Sequence, residues 1–105
     1  MELKKITAII RAGKLQEVEN KLKDGGVEGI SVSTVKGYGE YKNFFNHDWM
    51  VDHVRIEIFT TQTKVDRIVN TILDAASESL PGDGMIAVLP VERFVRIRDK
   101  SENAI

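Results

Sequence analysis

The chain contains no cysteine and no apolar run approaching the roughly 18 residues that a membrane-crossing helix needs. Without cysteine there is no disulfide framework, no thiolate metal site and no cysteine nucleophile, which agrees with a reducing compartment. The opening residues, MELKK, carry no apolar stretch behind their charges, so no secretory leader is read there. An excess of one charge sign is also missing. The 15 Lys and Arg residues meet 16 Asp and Glu, and a net charge of −1 supplies no overall basic field for nucleic acid or an anionic membrane. There is no linker-like stretch, internal repeat or low-complexity tract. These absences lead to the expectation of a cytoplasmic protein, with no nucleic-acid partner and no direct membrane insertion.

What is present is ordinary for a soluble globular domain: 105 residues, 42% hydrophobic and 30% charged, which predicts one domain over residues 1–105. Ile6, Ala8 and Ile10 alternate with Thr7, Ile9 and Arg11, predicting a strand over Lys4–Arg11. Leu15, Val18 and Leu22 then recur at helical spacing, and Gly25-Gly26 supplies the stop. A second strand is predicted over Gly29–Lys36 and a third over Val54–Thr60, with Val54, Ile56 and Ile58 on one face. Val65, Ile68, Val69, Ile72, Leu73 and Ala76 predict a second helix with one broad apolar face. Thr63 followed by Asp66 suggests a capping box at its start. Pro81 and the glycines end that helix before a short strand, Met85–Leu89.

The order β-α-β-β-α-β predicts an α+β, ferredoxin-like domain, with two helices covering one face of an antiparallel sheet. Ile9 and Phe59 fall on the opposite face from Ile10 and Ile58, so apolar groups lie on both sides of the sheet and self-association would cover the second.

Fold alone leaves function open. An RNA-recognition module needs aromatic residues on its central strands; the first strand here has none and the third has only Phe59. His47, Asp48, Asp52 and His53 offer nitrogen and oxygen donors, but two histidines in a polar loop are more often solvated, so no metal is expected. No nucleophile, base and orienting group stand at a recognisable spacing, so no enzyme is expected.

The segment from Gly82 to Asp99 carries the chemistry. A Gly-Asp-Gly turn lets backbone N–H groups approach an anion with no Cβ in the way. If Val95–Asp99 is extended, Arg96 and Arg98 leave the same face of a strand. That pattern suits a phosphate; it equally suits a tight turn followed by an edge strand with solvated charges.

KKITAIIRAGKLQEVENKL at 4–22, VKGYG at 35–39, VRIEI at 54–58, PGDGMIAVLPVE at 81–92 and VRIRD at 95–99 together resemble the PII signal-transduction family, from Lys4 to Arg98. The resemblance implies a homotrimer that binds adenine nucleotides (ATP, ADP or AMP) between subunits and controls a membrane transporter or an enzyme through a T-loop, here about 39–53. It implies a B-loop at about 80–85 and a C-terminal segment at 91–105. Ile9, Ser31, Glu57 and Phe59 fall where the family encloses the adenine, and Gly37 and Gly39 where backbone approaches the phosphates. Gly82, Asp83 and Gly84 match the phosphate-cradling B-loop, and Arg96 and Arg98 match arginines that reach phosphate from the adjacent subunit.

Departures from the family pattern matter as much. Glu40 and Tyr41 stand where the family has an arginine-like residue and a glutamine that helps bind magnesium and 2-oxoglutarate. His53 replaces a lysine that pairs with the oxoglutarate, and Met85 replaces the B-loop lysine. The T-loop is shorter by several residues, with Trp49 in place of a modifiable tyrosine. The pattern resembles a divergent, short-loop PII-like branch that includes carboxysome and bicarbonate-transport members. It implies a small anion such as bicarbonate as co-effector, held by Gly37, Tyr38, Gly39, His53 and Arg55. Tyr41, Phe44, Phe45 and Trp49 form either a partner-docking surface or a cluster packed on the loop's own trimer. Two alternatives stay open: a nitrogen regulator answering ATP and 2-oxoglutarate, and a trimeric interaction protein with a decayed nucleotide site.

Overall fold

The computed structural model describes residues 2–37 and 51–105. Strand β1 (Leu3–Arg11) leads through a 3-10 turn (Ala12–Lys14) into helix α1 (Leu15–Asp24). Strands β2 (Ser31–Gly37) and β3 (Val51–Thr61), helix α2 (Gln62–Ala76) and strand β4 (Gly84–Val91) follow. The four strands form one sheet in the order β2-β3-β1-β4, every neighbouring pair antiparallel. Two helices and this sheet make the ferredoxin-like α+β fold read from the sequence.

Period-two alternation decides which side chains enter the core. Ile6, Ala8 and Ile10 of β1 and Val54, Ile56 and Ile58 of β3 point to one face and are buried. Val18 and Leu22 of α1 and Ile68, Ile72, Ala75 and Ala76 of α2 complete that core. Leu73, expected on the apolar face of α2, is instead 49% exposed, because it lies beyond the edge of the stripe that meets the sheet.

Two local expectations are corrected. The Thr63–Asp66 capping box does not form: the N-cap is Thr61, without a side-chain cap hydrogen bond, and its Oγ1 lies 3.0 Å from Thr63 Oγ1. Strand β3 runs directly into α2, and the Gln62 N–H donates to the Glu2 carbonyl, so an orphan amide of the helix start is satisfied by the chain beside it. β4 is longer than Met85–Leu89 and carries Pro90, which an edge strand tolerates.

The segment Val95–Asp99 is not an extended strand. A single bridge joins Val95 to Glu102, and the chain turns back between them, with the Arg96 N–H on Ser101 O and the Lys100 N–H on Arg96 O, both at 2.9 Å. Asp99 Oδ1 accepts the Ser101 N–H, and Lys100 takes a φ of 60°, so turn chemistry overrides the β-branched pattern. An ion pair from Arg93 to Glu102 at 2.6 Å ties the base of this hairpin. Arg96 and Arg98 therefore do not share one strand face.

Candidate functional site

The sheet face away from the helices is organised in cross-strand rungs. Ser31, Glu57 and Thr7 form one, and Ser33, Arg55, Ile9 and Met85 form the next. Val35, His53 and Arg11 form the third, at the end of β1 beside residues 80–84. Register thus brings Ile9, Ser31, Arg55, Glu57 and His53 onto one surface, with Gly82, Asp83 and Gly84 at its end.

Glu57 is held at the centre of this surface. Lys5 Nζ lies 2.6 Å from its Oε2 and Arg55 4.0 Å from its Oε1. The hydrogen bond from Lys5, with the charges of Lys5 and Arg55 behind it, outweighs desolvation and holds the Glu57 carboxyl below the usual glutamate range. It is an ionised acceptor at neutral pH, suited to an N–H donor on a ligand.

The loop at 78–84 is folded around Asp83. One carboxylate oxygen accepts the N–H groups of Glu78 and Leu80, at 2.9 and 3.2 Å, and the other accepts Arg11 Nε at 3.3 Å. Burial pushes the Asp83 carboxyl up, but those two amides and the Arg11 guanidinium together hold it below the usual aspartate range. The aspartate shapes the loop from within. Gly82 and Gly84 take φ values of 93° and 110°, which glycine adopts without strain. At Gly84 a Cβ would collide with the Ile9 carbonyl, so the loop lies directly against β1 and only glycine fits.

His53 is 3% exposed, and its Nε2 lies 2.9 Å from Gly82 O. A carbonyl only accepts, so Nε2 carries a proton and the ring is committed to the loop. Arg55 faces Ser33 in register, four residues short of Gly37, or about 14 Å along the strand at roughly 3.4 Å per residue. Arg55 and Gly37 are not brought together, and His53 is turned to Gly82. Tyr38, Gly39, Tyr41, Phe44, Phe45 and Trp49 lie outside the described residues.

The remaining site residues assemble elsewhere. Phe59 pairs with Phe94, and a cleft of about 440 Å³ beside them is lined by Lys64, Arg67 and Arg96. Phe59 faces Lys5 in register, whereas Gly84 faces Ile10. Five residues of β1 separate those levels, about 17 Å at roughly 3.4 Å per residue. Within one chain, then, the glycine loop and Arg96 stand at opposite ends of the sheet. Sequence reading missed Arg11, Lys5, Phe94, Lys64 and Arg67; only the tertiary structure shows what lies beside them. Among the described residues, no cluster of three or more His, Asp or Glu side chains is placed to hold a metal.

A βαββαβ domain with a Gly-Asp-Gly loop at one end of its open sheet face has the architecture of the PII signalling class. The chain belongs to the nitrogen regulatory protein P-II family, whose sequence profile matches residues 3–101. Nitrogen regulatory protein P-II of Klebsiella oxytoca is 40% identical over 96% of both chains, and that of Pasteurella multocida 39% over the same shares. The Azospirillum brasilense protein of that name is 39% identical over 98% of this chain and 100% of its own. Among solved structures, Arabidopsis thaliana PII bound to citrate superposes with a TM-score of 0.83 at 34% identity, over 97% of this chain and 89% of that one.

Proposed function

We propose that this protein is a non-catalytic signalling regulator that binds an adenine nucleotide between subunits of a homotrimer and controls a transporter or enzyme through residues 39–53. The observation that carries the reading is the separation of the two anion-receptive groups. Gly84 and Phe59, the ring beside the Arg96 cleft, stand about 17 Å apart along the sheet by strand spacing, so bringing the glycine loop and Arg96 onto one phosphate chain calls for two copies side by side. The exposed apolar residues Phe59, Met85 and Leu89 on the open face give such copies a surface to bury. Ionised Glu57 is placed to accept the exocyclic amine of adenine, beside Ser31 and Ile9 on the same face. The loss of B-loop and T-loop cations at Met85 and Glu40 lowers the advantage of ATP over ADP and AMP. Titration calorimetry with ATP, ADP and AMP tests the reading: absence of binding by all three returns the chain to an interaction protein with a decayed site.

For the co-effector, a small anion such as bicarbonate fits the substitutions best. A five-carbon dicarboxylate needs chelated magnesium and a distal cation; Tyr41 has no amide oxygen to offer the metal, and His53, in place of a lysine, holds Gly82 O with its Nε2. The names of the relatives favour a second reading, nitrogen regulation through ATP and 2-oxoglutarate, and the citrate held by the Arabidopsis protein is likewise a polycarboxylate. Titrating nucleotide-loaded protein with each anion separates the two. Tighter nucleotide binding with oxoglutarate and none with bicarbonate would make the protein a nitrogen sensor.

A further inference from the structure

Arg11 and His53 are cross-strand partners at the end of the sheet, and between them they reach three consecutive residues, Pro81, Gly82 and Asp83. Arg11 donates from its terminal nitrogen to Pro81 O at 2.8 Å and from Nε to Asp83 Oδ1 at 3.3 Å. His53 Nε2 donates to Gly82 O at 2.9 Å in a buried setting. Two consecutive carbonyls are thus drawn toward the sheet by side chains that stand next to each other on it. A trans peptide points its C=O and the following N–H in opposite directions. Pulling Pro81 O onto Arg11 therefore turns the Gly82 N–H away from Arg11, within a loop whose Gly82 is itself buried, while the Asp83 N–H is used internally on Leu80 O at 3.2 Å.

We propose that Arg11 and His53 act together as positioning residues, a clamp that fixes the conformation of the 80–84 loop and ties it to the point where β3 begins. Neither side chain acts as a ligand: the two set the direction of the Gly82 amide. His53 is the third residue of β3, so the loop cannot change its carbonyl orientation without disturbing the strand at the segment's exit. Arg11 does its part with two bonds from one rigid fork, which lysine cannot copy in full. That the Gly82 amide receives a phosphate rests on the proposed nucleotide binding; the clamp itself does not.

The test therefore has two arms. In nucleotide-free protein, hydrogen exchange is followed at the amides of Glu78, Leu80 and Asp83, with Ile6 and Ile56 as reporters of an intact core. His53→Met and Arg11→Met keep bulk and remove the donors; each should speed exchange at the three loop amides at least tenfold and leave the core amides unchanged. His53→Gln restores an N–H near the position of Nε2 and should return exchange to within about threefold of wild type, which a role in packing alone would not produce. In the second arm ADP affinity is measured: it should fall about tenfold in the Met variants and recover in His53→Gln. Loop exchange that is unchanged in both Met variants, or no better in His53→Gln than in His53→Met, overturns the clamp. Wild-type protein that binds no nucleotide overturns the functional reading, and the exchange arm still decides the clamp.

Discussion

The rings of Phe59 and Phe94 lie 5.3 Å apart, centre to centre, at an interplanar angle of 55°, and this contact fastens the C-terminal hairpin to the outer face of β3. The tilted geometry is favourable for aromatic quadrupoles and is worth about 0.5–1.5 kcal/mol beyond the buried area. Its consequence is positional. Arg96, two residues on, is held at the cleft it shares with Lys64 and Arg67, at the far end of the sheet from the glycine loop.

In the proposed site, replacing Arg96 or Arg98 with alanine would remove a charge-assisted hydrogen bond to phosphate. It should cost about 1.5–3 kcal/mol in nucleotide binding, roughly ten- to a hundredfold in affinity. Because loop and arginine belong to different subunits in the proposed site, mixed oligomers of Arg96→Ala and Gly82→Ala chains should regain some full-affinity sites that neither variant forms alone. Calorimetry on the single variants and on the mixture checks both statements; unchanged affinity in both arginine variants refutes the assignment.

Gly84→Ala places a methyl group against the Ile9 carbonyl at a φ of 110°. Strain of this kind, with backbone rather than a movable side chain as the obstacle, should destabilise the fold by about 3 kcal/mol or more. Urea unfolding measures it. Gly29→Ala, where nothing lies within 4 Å of a new Cβ, should change stability little and serves as the control.

Asp83 titrates in the loop, and the sign of its effect on stability follows from its lowered pKa. A carboxyl whose folded pKa lies below its unfolded value of about 3.9 contributes stability above that value and loses it as pH falls through the folded pKa. Asp83→Asn should be less stable at neutral pH and should lose less stability than wild type between about pH 5 and pH 2. Denaturant midpoints across that range are the measurement. Parallel acid limbs in the two proteins would show that the carboxylate is not linked to folding.

Met85 is half exposed, on the open face opposite Ile9 and next to the loop. Met85→Lys adds a cation there, so ATP should gain more than ADP and ADP more than AMP, by about tenfold per added charge-assisted bond of roughly 1.4 kcal/mol. Competition titration reads the order. An unaltered ratio of the three affinities would place the phosphates away from residue 85.

Local chemistry made much of this molecule readable in one dimension. The alternation of Ile6, Ala8 and Ile10, and the 3.6-residue recurrence of Val65, Ile68 and Ile72, each depend on a single element meeting a single apolar layer, so composition and spacing suffice. The Gly-Asp-Gly turn was equally plain, since positive φ at Gly82 and Gly84 is a property of the residue type. Where local signals competed, the reading erred: Asp99 and Lys100 turned a β-branched stretch into a hairpin, and the entry of β3 into α2 displaced the expected cap.

Sequence by itself determined the elements, their order, the inner face of the sheet and the family to which the chain belongs, because these rest on contacts between residues near in the chain or on motifs met whole. Tertiary structure alone decided what Arg11, His53 and Asp83 do. Arg11 and Asp83 are 72 residues apart, and they meet only because β4 and β3 both pair with β1 in one register. The same register sends Arg96 to the other end of the sheet. A one-residue slip of any strand would carry these side chains to the opposite face, so their roles are properties of the paired sheet and not of the residues that make it.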